Sequence, residues 1–462
     1  MPEETLTLAR YVAFARLEDL PELVVQRAKE IMLDTLSCAA AGSRKSSEEC
    51  GWAVALAKEL GGRAESTIWF DGTQVSPSAA ALANAAMVHT VDFDDTHIDS
   101  VAHLGAGLLG AVLALGEALG SSGGEVLTAF VLGFEVAARV GNCVNKGAVH
   151  QHYKYWHPTA TAGTVGCAAA AARLLGLDVE ETEQAIGLGV DQAAGFRYCV
   201  DKGDFSKSLH PGWAAMRGIL SAQIIRLGAS GPKGLLEYPT GFCRAMCPEP
   251  RWEELTAGLG ERYEILRDAL KLYPTIHGSH TGIEATLRLM EAHHLDYRQI
   301  RHIRIRLAPL AKGQGVNYRP ESVLASRLSI PCCISLAARK GRVTLDDFTE
   351  ELLSDPEHLA FMQKVEVQPE PQFNVLYPDS GFTGEATITL QDGTQYQQLI
   401  PYPKAHPQRP ASREELREKF RMLAENAWSP GRTAEVEACF ASLESCPDVR
   451  ALVALFQEGT PV

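Results

Sequence analysis

Apolar residues recur at helical spacing from the start of the chain. Within residues 5–60, Leu20, Leu23, Val24, Ala28, Ile31, Met32 and Leu36, with Thr35 among them, predict one buried helix face. Residues 66–75 read as a short extended segment turning at Asp71-Gly72. Helices then dominate: 125–141 after Gly123-Gly124, 158–175 closed by Gly176, 180–192, and 211–227 closed by Gly228. Their interiors are filled with Ala and Gly, 168–172 being all alanine, so the helix axes are expected to approach closely. Past about residue 260 the period changes. Residues 300–307 alternate Ile and Arg at period two, and 365–367, 385–390 and 395–399 also read as strands, the last two joined by Asp392-Gly393. Residues 323–339 read as one helix, and helical pattern returns over 414–425, 433–443 and 449–456. The expected fold is mainly α. Residues 1–266 and 408–462 form a large all-helical domain, and 267–407 form a smaller α+β lid domain.

Composition narrows the function classes. The chain has 462 residues, 46% hydrophobic and 22% charged, and a formal net charge of −14. That balance argues against nucleic acid or an anionic membrane surface as partner. It leaves room for an anionic small molecule in a locally positive pocket. Residues 104–119, the longest weakly charged stretch, are short for a membrane span. Eleven scattered cysteines without a CxxC pair read as reduced thiols of a cytoplasmic protein, and neither Cys243/Cys247 nor Cys332/Cys333 has a convincing set of metal partners.

One stretch breaks the apolar pattern. Residues 92–103 hold four carboxylates (Asp92, Asp94, Asp95, Asp99) and two imidazoles (His97, His103) with no Lys or Glu to dilute them. The cluster lies between two core-type helices, which points to the floor of a site; a solvated loop with an Asp helix cap is the plainer alternative. Elsewhere polar residues stand where helices begin. His103 precedes residue 104, His157-Pro158 opens 158–175, Lys207 to His210-Pro211 opens 211–227, and His277 and His280 open 282–292. Helix N-termini present free N–H groups and suit carboxylates or phosphates, and imidazoles near neutrality supply proton donors and acceptors. The run from His150 and His152 through Tyr153, Lys154, Tyr155 and Trp156 either shapes a pocket wall or covers the domain.

Together these segments carry a resemblance. VDFDDTH (91–97) followed by His103, HPTATAG (157–163), KSLHPGWAAM (207–216), YPTIHGSHTGIEA (273–285) and NYRP (317–320) resemble the MmgE/PrpD family, in its order and spacing. The resemblance implies a helical domain built from both chain ends, an inserted α+β lid, a homodimer, and catalysis without a metal or organic cofactor. The implied activity is that of a lyase acting on a small di- or tricarboxylate, with 2-methylcitrate dehydration expected first and cis-aconitate decarboxylation or epimerisation as alternatives.

Carried over residue by residue, Asp92, His103, His157, Lys207, His280 and Tyr318 are the candidate catalytic groups. Thr96, His97, His210 and His277 are candidate substrate contacts, with His280 preferred over His277 as the residue facing substrate. His103 or His157 would exchange a proton at carbon, Lys207 and His280 would clamp carboxylates, Tyr318 would donate from the lid side, and Asp92 would orient an imidazole. Two readings compete. Asp92 to Thr96 matches a DxDDT terpene-cyclase pattern, but carbocation chemistry wants an aromatic pocket and only 7% of this chain is aromatic. A catalytically silent carboxylate-binding helical protein is the other.

Overall fold

The computed structural model describes residues 3–145 and 152–457. Its architecture is mainly α, as the apolar periodicity predicts. The centre is a stack of helices with no solvent-facing side. Every residue of the helix Pro77–His89 is buried, and so are all described positions of Gly123–Asn145 except Gly124 and Glu125. Among the described residues Gly123–Asn145 is the one helix long and apolar enough to cross a membrane, but its apolar stretch is enclosed by other helices.

Small residues make the close packing possible. A Cβ on Gly212 would sit 2.5 Å from the Leu82 carbonyl oxygen, so Ser206–Arg226 can lie against Pro77–His89 only with glycine at that point. Gly166 plays the same part against the Gly133 carbonyl oxygen, also at 2.5 Å. Close approach of backbones replaces bulky side-chain interdigitation here.

A second apolar cluster surrounds a four-stranded sheet ordered Val365–Pro369, Ile300–Leu307, Gly384–Leu390, Gln395–Ile400. The first pair is parallel, with Ile303 opposite Val365, and the others are antiparallel, with Ile303 opposite Ile388 and Thr387 opposite Gln397. The helices His280–Ala292 and Ile330–Lys340 pack on this unit, and Ile98, Val101, Tyr153 and Val200 of the helical part join its core. The C-terminal helices instead bury Phe420, Leu423, Val436, Phe440 and Phe456 in the same cluster as Ile31, Ala85 and Leu109.

Two expectations are corrected. The helix over 211–227 begins five residues earlier, at Ser206, so Pro211 lies inside it and Lys207 and His210 ride on its first turns. Pro211 offers no N–H for the bond back to Lys207, a loss tolerable near a helix start. The helix expected over 323–339 is two, Val323–Arg327 and Ile330–Lys340. Ser329 breaks it by accepting from the Cys332 N–H at 3.1 Å ahead of Pro331.

A two-residue ladder links the halves of the chain. Thr96 pairs with Ala269 and His97 with Asp268, so the acidic stretch is tied to the residues just before Lys271.

Candidate active site

The acidic stretch is not a solvated loop. Asp92, Asp94, Asp95 and Thr96 are all essentially buried. Asp95 does act as a helix cap: its carboxylate accepts from the N–H groups of Leu104 and Gly105 at 3.0 Å, at the start of Leu104–Leu119. Gly105 is obligatory there, since a Cβ would lie 2.5 Å from Asp95 Oδ1. Burial, with the Asp94 charge beside it, pushes the Asp95 carboxyl up to about 7.

Asp92 is in the left-handed backbone region, φ 50°. Such a conformation costs roughly 1–3 kcal/mol outside glycine and persists where surrounding contacts enforce it. Here it turns the side chain between two ammonium groups. Lys207 Nζ donates to Asp92 Oδ1 at 2.9 Å, and Lys271 Nζ donates to the same oxygen at 2.7 Å and to the Asp92 carbonyl at 3.1 Å. Burial alone would raise the Asp92 pKa, but Lys207 and Lys271 hold it well below the usual carboxylate range. Burial lowers the Lys271 pKa, with Asp92 opposing.

His103 is the N-cap residue of its helix and partly open to the cavity. Its Nδ1 lies 2.6 Å from the Asp95 carbonyl oxygen and 3.3 Å from Thr96 Oγ1. A carbonyl can only accept, so Nδ1 carries the proton and Nε2 keeps its lone pair. Burial, and then the Lys271 charge, lowers the His103 pKa well below the usual imidazole range, which favours this neutral form. His157 caps its own helix, and its Nδ1 lies 2.8 Å from Nδ1 of His210, one ring donating to the other. It too is lowered well below the usual range, by burial first and His210 second.

These groups close around one cavity, walled by Asp92, Thr96, His103, His157, Lys207, His277 and Gln314, with Val101, Tyr153, Val200 and Ile276 as its apolar part. His277 is buried, and both its ring nitrogens lack a partner among the described residues. Nitrogens left bare in a buried cavity wall are available to a ligand.

The remaining candidates lie elsewhere. His280 stacks behind His277 at 4.7 Å between ring centroids and turns Nε2 toward the Thr275 carbonyl at 3.4 Å, so His277 takes the wall position for which His280 was preferred. His97 faces away: Nδ1 meets Ser100 Oγ at 2.8 Å and Nε2 faces Glu264 at 3.5 Å. His210 stands behind His157 rather than in the wall. Tyr318 donates its hydroxyl to the Val365 carbonyl at 2.7 Å, within the sheet-containing unit and outside the cavity wall. Of the polar-aromatic run, Tyr153 lines the cavity, His152 bonds Thr161, Trp156 stacks on Phe196, and His150 lies outside the described residues.

Three participants were not singled out in the sequence: His89, Lys271 and Gln314. His89 ends the apolar helix Pro77–His89, Lys271 stands alone before the YPTIHGSH segment, and Gln314 holds the Gly278 N–H at 2.8 Å. A titratable residue at the end of an alanine-rich helix with no other ionisable group is the available signal for the first.

Nitrogen atoms of His89, His103 and His157 come within 4.8 Å of one another, a spacing that could hold a cation. The His89 Nε2 lone pair, however, already accepts from Lys207 at 2.8 Å, and that ammonium would repel a metal ion.

Two family models match the chain, one on each side of Ala269, the ladder partner of Thr96. The MmgE/PrpD N-terminal domain matches residues 6–255 and the MmgE/PrpD C-terminal domain residues 273–444. The chain belongs to the MmgE/PrpD family. Among its MmgE/PrpD relatives, cis-aconitate decarboxylase of Aspergillus terreus (strain NIH 2624 / FGSC A1156) is 27% identical, over 98% of this chain and 95% of that protein. Cis-aconitate decarboxylase of Homo sapiens is 28% identical over 96% and 92%, and 2-methylcitrate dehydratase of Cupriavidus necator 26% identical over 96% of each. The family's C-terminal match crosses the boundary between the apolar cores, because it includes helices whose side chains pack among the N-terminal ones.

Proposed function

We propose that this protein is a lyase that works without a cofactor on a small di- or tricarboxylate, by moving a proton at a carbon next to a carboxylate. The observation that carries the reading is the pairing of His103 with Lys207 in one cavity wall. His103 has a proton-free Nε2, while Lys207 is an ammonium anchored by Asp92. A neutral imidazole exchanges the proton, and the ammonium and the bare His277 bind carboxylate and stabilise enolate-like charge.

Decarboxylation of a cis-aconitate-type substrate is the first choice within this reading. It needs one carboxylate lost as carbon dioxide and one proton delivered to the resulting carbanion, by the Lys207 ammonium or by a His103 that has taken up a proton on substrate binding. Several relatives that align along nearly the whole chain carry that name. Dehydration of a 2-methylcitrate-type substrate, the expectation from sequence, stands second. It is favoured by the Cupriavidus necator relative and by the His157–His210 pair, which could pass a proton to a departing hydroxyl.

The test is an NMR time course in deuterated water with cis-aconitate, 2-methylcitrate, citrate and iminodisuccinate. Loss of carbon dioxide from cis-aconitate with deuterium in the product supports decarboxylation. Alkene formation from 2-methylcitrate supports the second reading, and deuterium exchange without net loss an epimerase. Inertness of all four overturns the assignment and favours a silent binding protein.

A homodimer belongs to the same proposal. The helix Ser206–Arg226 and the residue after it expose Leu220, Ile224 and Leu227 at helical spacing. Light scattering at twice the 50.0 kDa chain mass is expected, and a shift to monomer for Ile224→Glu.

A further inference from the structure

Behind the cavity wall lies a pair of residues that the proposed chemistry does not yet use. His89 and Asp94 are both fully buried, and neither lines the cavity. His89 Nδ1 lies 2.8 Å from Asp94 Oδ2 and 3.0 Å from Oδ1, and His89 Nε2 lies 2.8 Å from Lys207 Nζ. We propose that Asp94 and His89 form a buried dyad that positions Lys207, taking one of its protons in a hydrogen bond so that another is aimed at the substrate. The proposal deepens the lyase reading and rests on it for its kinetic consequence.

The hydrogen-bond inventory fixes the arrangement. An ammonium has three donors and no lone pair, so Nε2 of His89 must accept. The ring proton therefore sits on Nδ1 and is given to the Asp94 carboxylate, the orienting role a carboxylate plays behind many functional imidazoles. Lys207 spends one N–H on His89 and one on Asp92 Oδ1. No other acceptor for it stands among the described residues, and Lys207 lines the cavity, so its third N–H faces the substrate space.

Charge supports the same assignment. Burial lowers the His89 pKa, with Asp94 opposing and Lys207 reinforcing, which keeps the ring neutral. Asp94 is held below its usual range: burial would raise it, but His89 and its hydrogen bond outweigh that. Around the dyad stand Asp92 and Lys271, the Asp95 carboxyl beside Asp94, Asp34 paired with Lys419, and, measured from His89, the His103 ring at 4.7 Å and the His157 ring at 6.1 Å. Asp94 and Asp92 thus balance Lys207 and Lys271, which lets two ammonium groups remain charged in a dry site. His89 and Asp94 touch no substrate, so they are positioning residues.

Two His89 variants test this. His89→Gln offers a side-chain carbonyl that can still accept from Lys207, whereas His89→Phe keeps a ring of similar shape with no acceptor. Relative to wild type, His89→Phe is expected to lose about 100-fold in kcat, with the basic limb of its pH profile moved to lower pH; His89→Gln should stay within about tenfold. A folded His89→Phe with wild-type kcat and pH profile overturns the proposal.

A second measurement needs neither turnover nor a folded Phe variant. In wild-type protein carrying 15N-histidine, the His89 signals, identified by their absence in His89→Gln, should report a protonated Nδ1 and a proton-free Nε2 at pH 7. An ε-protonated or doubly protonated His89 overturns the dyad. If that signature is found but wild type converts no tricarboxylate, the failure lies in the lyase reading.

Discussion

Lys271 Nζ lies 2.7 Å from Asp92 Oδ1, joining two residues 179 positions apart in a fully buried ion pair. The Thr96–Ala269 and His97–Asp268 ladder makes the meeting possible by holding both chain segments side by side. Lys207 reaches the same oxygen from a third segment. Three stretches of chain therefore converge on one carboxylate.

Removing one of these ammonium groups should expose how much the site depends on the pair. Lys271→Met leaves Asp92 with a single cation in a dry environment. It is expected to lower folding stability by about 1–3 kcal/mol, the range for losing hydrogen bonds to a buried charged group that keeps one cation, Lys207. Urea denaturation checks this. A loss below 1 kcal/mol would mean that Asp92 takes a proton or another partner at little expense.

The neutral His103 should be the proton-exchanging group. His103→Gln is expected to reduce kcat by roughly 10²–10⁴, the range for loss of a general acid or base, with KM changed far less. Steady-state kinetics in deuterated water decide it: turnover and deuterium incorporation should fall together. Wild-type exchange in the variant would assign the role to His157 instead.

Binding should take up protons. The imidazoles of His103, His157 and His277 are all held well below their usual range, by burial first and by neighbouring cations or imidazoles next. They are neutral at pH 7 in the free protein. A bound carboxylate beside them favours the charged form and raises their pKa. Calorimetry of a non-reacting tricarboxylate in buffers of different ionisation enthalpy should show net proton uptake at pH 7. Proton release would contradict the assigned protonation states.

Stability should fall on acidification below neutrality. Burial holds His152 and His280 at about 3, and His210, His358 and His406 at about 4. An unfolded imidazole titrates near about 6.5, so between about 4 and 6.5 the unfolded chain binds protons that the native one refuses, and stability drops as pH falls. Asp95 and Glu135 act in the opposite sense: burial raises both to about 7, and their contribution is lost as pH rises toward that value. His89, His103, His157 and His277 are lowered as well, and Asp34, Glu49, Glu117, Glu183 and Asp268 are raised. Nine imidazoles therefore stand against seven carboxyls among the described residues and the first effect dominates, each net proton contributing about 1.4 kcal/mol per pH unit. The urea midpoint should therefore be lower at pH 5 than at pH 7. An unchanged or higher midpoint at pH 5 would contradict the histidine assignments.

The sequence by itself determined the elements and the region of the site. Helical spacing and small-residue content are local properties, so Pro158–Leu174 and the Ile300–Leu307 strand were legible within a residue or two, as was the unusual density of charge at 92–103. The helix start at Ser206 is masked by Pro211, whose missing N–H the first turns tolerate, and the break at Ser329 depends on one side-chain hydrogen bond that competes with a wider pattern.

Only the tertiary structure decided which way the polar residues face. His277 and His280 are three residues apart, yet one lines the cavity and the other stacks behind it. His97 adjoins Thr96 but points to Glu264, and Tyr318 spends its hydroxyl on Val365. His89 and Lys271 carried no motif, and their partners lie 118 and 179 residues away in the chain. The acidic stretch itself had its meaning set by those distant ammonium groups. A buried carboxylate is stable only when something pairs with it, and what pairs with it is a property of the fold.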